Sequence, residues 1–232
     1  MKAEKRYAKG ITILGAWTYS KLMDYGIGPF AGEALGGGAF QNWNNLASDW
    51  AVSQSDQTHR LVMNAVYEIP LFKQSSIPLL KRAFGGWQVG GILSFLSGGP
   101  LGIASAVNNT FSQGGGQRPN WNGTDPAISN RDVGRWFDTS VFSAPSAYTY
   151  GNAPRTFGGL RSHGAHNVDM TVGKNIQLYE RLRLQFRGEF FNLTNSVRFA
   201  PPNQTFGNPQ FGLVTSQLNQ PRIVQFGLKL LF

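Results

Sequence analysis

The sequence predicts an all-β fold, an antiparallel transmembrane β-barrel with long extracellular loops and short periplasmic turns. Segments of about ten residues alternate apolar and polar side chains with period two, the mark of half-buried strands. The connections between them alternate between tight turns and very long loops, the rhythm of a membrane barrel. Composition agrees. Glycine supplies 29 of 232 residues, and each glycine in a helix interior costs roughly 1 kcal/mol relative to alanine, which argues against a helical bundle. No apolar run of about 18 residues occurs, so a helical membrane span is excluded. Charged residues are 14% of the chain against the roughly 25% usual for soluble domains. Hydrophobic residues at 41% and aromatics at 13% are too abundant for a disordered chain.

The elements follow in order. Residues 3–7 and 11–21 form a hairpin around a turn at 8–10, with Ile11, Ile13, Trp17 and Tyr19 on one face and Thr12, Thr18 and Ser20 on the other. The basic start followed by Ile11–Trp17 superficially resembles a signal peptide, but Thr12 and Gly15 interrupt a short apolar stretch and no small-x-small cleavage site follows before Lys21. On the hairpin reading the chain starts within structure and carries no export signal of its own. Segment 59–69 sets Leu61, Met63, Ala65, Tyr67 and Ile69 against Arg60, Asn64 and Glu68. A helical turn is expected over 77–84. Segment 87–97 sets Trp87, Val89, Leu93 and Phe95 against Gln88 and Ser94. In 167–178, Val168, Met170, Val172, Ile176 and Leu178 share a face on which Lys174 is the one polar exception. Segment 181–192 sets Leu182, Leu184, Phe186, Gly188 and Phe190 against Arg181, Arg183, Gln185, Arg187 and Glu189. The last strand, 222–232, sets Val224, Phe226, Leu228, Leu230 and Phe232 against Gln225, Gly227 and Lys229.

The turns at 8–10 and 179–180 are tight and the connection 70–86 is moderate, whereas 23–58, 98–166 and 194–221 are long and rich in Gly, Asn, Pro and Ser. Loops of that length are either functional or disordered. Trp17, Tyr19, Tyr67 and Trp87 near strand ends suit the aromatic girdles of a membrane barrel. A soluble β-sandwich also alternates, burying one face against a second sheet, and stands as the competing fold. Its turns, however, come every 8–12 residues.

The last eight residues, Gln225 to Phe232, resemble the terminal assembly signal of bacterial outer-membrane barrels, with Gln225, Gly227, Leu230 and Phe232 in the patterned places. The resemblance implies a bacterial outer-membrane location, with outer-membrane lipid and the barrel assembly machinery as partners. The wider chain is similar to the C-terminal barrel portion of TonB-dependent receptors of the Oar-like group, which carry an N-terminal carboxypeptidase-regulatory-like domain. Ala16–Lys21, Asp56–Val62, Gly85–Leu93, Phe190–Asn195 and Pro221–Phe232 carry that likeness. It implies that residues 1–232 are about seven strands of a larger barrel, with the plug, the N-terminal strands and the segment that meets the TonB energy-coupling complex lying outside the chain. Such a piece alone would transport nothing, and its role would be in uptake of a large ligand such as a siderophore or a carbohydrate. The alternative is a small autonomous outer-membrane protein, an adhesin or a barrel-embedded hydrolase. A soluble, basic, lectin-like β-protein is the third reading.

The net charge of +9 admits nucleic acid, anionic lipid or acidic ligands, depending on where Lys and Arg point. Arg181, Arg183 and Arg187 share a face with Glu189, and Asp169 takes the polar face of the preceding segment. In a barrel that face lines a polar lumen, where these groups pair with one another, hold an inner domain or meet a substrate. Nucleic-acid binding would set the basic residues among stacking aromatics, yet the aromatics lie opposite, so nucleic acid is not an expected partner. In the loops, Trp43, Asn44, Trp121 and Asn122 combine flat rings with amides, which suits sugars, although Asn is an ordinary turn residue and Trp an ordinary loop anchor. No enzyme is predicted. With no cysteine, thiol catalysis and thiolate metal sites are absent. His59, His163 and His166 lack a metal-binding spacing, and Asp56 near His59 has no nucleophile beside it. Gly36–Gly38 and Gly114–Gly116 lack the lysine and helix of a phosphate loop, so no cofactor is expected.

Overall fold

The computed structural model describes residues 1–8, 10–26, 40–42, 44–72, 76–111 and 116–232. Seven long strands form one antiparallel sheet in strict chain order: β1 (Lys2–Ala8), β2 (Ile11–Tyr19), β3 (His59–Glu68), β4 (Trp87–Leu96), β5 (Ala165–Gln177), β6 (Arg183–Phe191) and β7 (Ile223–Leu231). All seven predicted strands are present. β1 and β7 occupy opposite edges, so the sheet is open among the described residues.

Register turns the period-two pattern of each strand into two continuous faces. Ile13, Ala65, Gly91, Met170, Phe190 and Val224 stand side by side across six strands. One row on, Ile11, Tyr67, Val89, Val172, Gly188 and Phe226 do the same. The intervening row is Thr12, Val66, Gly90, Thr171, Glu189 and Gln225. A one-residue slip anywhere would exchange the faces, so the alternation itself fixes the pairing.

Among the described residues no second sheet covers the apolar face. Phe226 is 68% and Leu228 72% exposed, and Trp17, Met63, Tyr67, Leu93 and Phe95 are exposed as well. A sandwich would bury these side chains against a facing layer, so the soluble sandwich is overturned.

Between β1 and β2, Gly10 takes φ +82°, and a Cβ there would stand 2.9 Å from the Glu68 carbonyl oxygen, so the turn requires glycine. The β5–β6 turn closes through Leu178 N–H to the Leu182 carbonyl, 2.9 Å. The β3–β4 connection contains the expected helical turn, α1 (Pro78–Phe84), with proline in its first turn, where the missing N–H is harmless.

At the other end of the strands lie the three long connections, 20–58, 97–164 and 192–222. Their described residues pack on one another. The buried apolar core of the molecule is made here, by Leu101, Ile103, Trp136, Phe137, Val141, Phe142, Ala153, Phe157 and Leu160 from the second connection and Val214 from the third, with Phe199, Phe206 and Phe211 packed against it. Short pairings stiffen the layer: Pro100–Leu101 with Phe157–Arg161, Asn120–Trp121 with Phe142–Ser143, and Ala127–Asp132 with Arg135–Phe137. Thr205–Phe206 runs parallel to Ala104–Ser105, tying the third connection to the second.

Candidate functional site

Two regions can meet a ligand: the polar face of the sheet and the loop layer at its end. On the polar face, Arg187 Nε lies 2.7 Å from Glu189 Oε1, two residues along the same strand and therefore on the same side. Gln225 Nε2 donates to the other Glu189 oxygen from β7. Arg183 Nε reaches Gln177 Oε1 across the β5–β6 pair at 3.4 Å. A hollow of about 490 Å³ on this face is lined by Glu68, Gln88, Thr171, Asn175, Gln185 and Arg187, with Gly90 and Gly173 deepening it. Its walls offer both charge signs and amides.

The loop layer is locked by ion pairs between the first and second long connections. All three carboxylates come from the first, all three guanidinium groups from the second: Arg155 pairs with Asp24, Arg118 with Asp49 and Arg161 with Asp56. Arg155 also donates to the Asp49 carbonyl at 2.9 Å, and Arg161 to the carbonyls of Gly158 and Gly98 at 2.9 and 3.2 Å. Asp56 accepts from Leu22 N–H at 2.7 Å and from the Thr58 hydroxyl at 3.2 Å. Burial pushes its carboxyl up, but the Leu22 N–H, the Arg161 guanidinium and the Thr58 hydroxyl outweigh that and hold its pKa below the ordinary 3.8. Asp138 is likewise held below 3.8, through the Ser140 hydroxyl and N–H. Buried Gln41 completes the lock, donating to the Gly151 carbonyl at 2.8 Å while accepting from Arg118 N–H at 2.7 Å.

The predicted site residues separate into roles on this frame. Arg183, Arg187 and Glu189 lie on the polar face as expected, but Arg181 falls in the turn before β6, because pairing with β5 ends at Arg183. Asp169 sits on the polar face of β5, opposite Ile92, and accepts from Asn192 N–H at 2.9 Å. Trp43 lies outside the described residues, as do residues 36–38, 114 and 115 of the two glycine runs. Asn44 is exposed and donates its N–H to Asn42 Oδ1 at 3.0 Å. Trp121 is engaged structurally: its ring meets Phe157 edge-on at 5.5 Å and its Nε1 donates to the Thr124 carbonyl at 2.6 Å. Asn122 holds the same turn, its Oδ1 accepting from Thr124 N–H at 2.9 Å. At the terminus, Gly227 stands opposite Arg187 and Leu230 opposite Leu184, and Phe232 is 98% exposed. His59 stacks on Trp17 at 6.0 Å, and Asp56 turns to Arg161, so these two form no dyad.

An uncovered apolar face, a polar face opposite and long connections gathered at one end define a membrane β-barrel protein. The match to family models bears this out: the chain belongs to the family described as outer membrane beta barrel domain, whose model matches residues 1–225. The protein is thus an outer-membrane barrel protein of bacteria. No curated protein and no solved structure matches the chain.

Proposed function

We propose that residues 1–232 form the C-terminal part of a larger TonB-dependent receptor barrel of the Oar-like kind, contributing to uptake of a large ligand such as a siderophore or a carbohydrate. The open sheet carries this reading. β1 and β7 stand at opposite edges, and in lipid every edge N–H and C=O group needs a partner. Further strands supplying those partners make a wide barrel, whose lumen holds an inner domain against Arg183, Arg187 and Glu189. The partners are then outer-membrane lipid, the assembly machinery reading Gln225, Gly227, Leu230 and Phe232, and the TonB complex acting through a plug beyond these residues. The role is transport and not catalysis. One observation favours the second reading, an autonomous barrel working as an adhesin: Phe111 and Tyr148, each 75% exposed, present adjoining rings 5.0 Å apart on the loop layer. Uptake assays on cells with the gene intact or disrupted test both. Import of a siderophore or oligosaccharide that is lost on disruption and stopped by a protonophore supports the receptor. Unchanged import with lost surface attachment supports the adhesin.

A further inference from the structure

The connection between β3 and β4, residues 69–86, is longer than a hairpin needs and is built on α1. Its position is set by the lipid-facing side of the sheet. Trp87, Lys174, Phe186 and Leu228 form one row of that face, and Lys174 is the row's single charge. Its ammonium does not meet lipid. Lys174 Nζ donates to the carbonyls of Arg82 and Ala83, at 2.5 and 2.7 Å, and Trp87 Nε1 donates to the same Ala83 carbonyl at 3.3 Å. These are carbonyls of the last turn of α1, where the helix leaves its acceptors unsatisfied and its negative end attracts a cation. The helix is therefore pinned by its C-terminal end at a lipid-facing row toward the turn end of the sheet.

From that position it shows apolar side chains to its surroundings. Leu71, Phe72, Ile77, Leu79 and Phe84 are all exposed, Leu79 to 75%. Phe72 and Phe84 bring their rings within 5.8 Å of each other, so these two form one apolar surface. Beside it stand exposed Lys81 and Arg82, and the sequence from Ile69 to Gly86 has no acidic residue. Apolar side chains next to unopposed cations are the composition of a helix lying in a membrane interface. Water would leave the apolar groups exposed, and continuity with the lipid-facing surface supplies the medium that covers them.

We propose that residues 69–72 and 76–86 anchor the barrel to the membrane surface at its turn end and bind anionic phospholipid there. Leu79 and Phe84 enter the acyl boundary, and Lys81 and Arg82 meet headgroup phosphates. Each cation near an anionic surface is worth about 1 kcal/mol, so the pair favours anionic over zwitterionic headgroups by roughly twentyfold or more before competition and screening.

The chain has no cysteine, so single thiols can report position. The protein, extracted from its membrane in detergent, is reconstituted into vesicles after Leu79→Cys or, as a reference on the strands, Leu228→Cys, each labelled with a bimane fluorophore. Brominated phosphatidylglycerol and brominated phosphatidylcholine are compared as quenchers, with iodide as the aqueous quencher. The expected result is lipid quenching at both positions, with position 79 quenched several-fold more by the anionic lipid, and that preference abolished by Lys81→Glu with Arg82→Glu. Lipid quenching at 228 together with iodide quenching at 79 overturns the anchor while leaving the barrel intact. Equal quenching of position 79 by the two lipids overturns headgroup recognition. Protection of position 79 from every quencher overturns the lipid as occupant and assigns the patch to a protein.

Discussion

Arg161 Nη2 stands 2.8 Å from Asp56 Oδ2, and the carboxylate it meets has no solvent exposure at all. The pair joins the second long connection to the first at the edge of the strands. Removing one partner of a buried pair leaves a desolvated charge, which costs about 3–5 kcal/mol. Asp56→Ala should therefore loosen the loop layer by about that amount, moderated by the partial exposure of Arg161, while leaving β1–β7 paired. Hydrogen exchange in detergent checks this: faster exchange in residues 97–164 with unchanged strand amides is expected.

Acid should act through the same carboxylate. Asp56 has a native pKa below its ordinary 3.8, so its ionised form is favoured by the fold. Its contribution to stability is complete above about 3.8 and is lost as the pH falls through the lower native value. The near-ultraviolet circular dichroism of the described tryptophans in the loop layer, Trp50, Trp121 and Trp136, should hold from neutrality down to that range and weaken below it. The far-ultraviolet signal of the strands should persist. In Asp56→Asn the acid transition should be reduced.

Asn192 follows the last residue of β6 with φ +49°, a conformation rare for residues other than Gly, Asn and Asp. Its amide donates to the carbonyls of Ser196 and Gln220 at 3.0 and 3.1 Å, and its Oδ1 accepts from Ser196 N–H at 2.9 Å. Asn192→Ala keeps the strained backbone and loses all three bonds, at a cost of about 2–4 kcal/mol. Thermal unfolding in detergent should show that loss, and Asn192→Gly should recover the backbone part of it.

The strands were legible because every face rests on a local signal. The alternation of Leu184, Phe186, Gly188 and Phe190 is visible in sequence, and sheet pairing only extends it across neighbours. Lys174 was visible as the exception on its face, but its reason was not, since the carbonyls it meets belong to α1, some ninety positions away. The loop layer was not legible for the same physical cause. Leu101, Phe137, Leu160 and Val214 come together without any shared period, and Arg155 finds Asp24 across 131 residues of chain. One faint signal was present: the first long connection holds Asp24, Asp49 and Asp56 and no arginine, while the second holds five arginines, Arg118, Arg155 and Arg161 among them, alongside three aspartates. Among the expected site residues, Trp121 and Asn122 proved to hold the layer together. Their side chains were recognisable, but their partners, Phe157 and Thr124, were not.

The central claim is that the two faces of the sheet meet different media, and adjacent positions on β7 test it most directly. Gln225 belongs to the row of Glu189 and Thr171, and Phe226 to the row of Gly188 and Val172. With Gln225→Cys and Phe226→Cys prepared separately in intact outer membranes, a membrane-impermeant maleimide and a lipid-borne maleimide are applied in turn. Position 226 should react with the lipid-borne reagent and resist the aqueous one, and position 225 should never react from lipid. Aqueous labelling of position 226 together with lipid labelling of position 225 would contradict the assignment of the faces and, with it, the barrel reading of the chain.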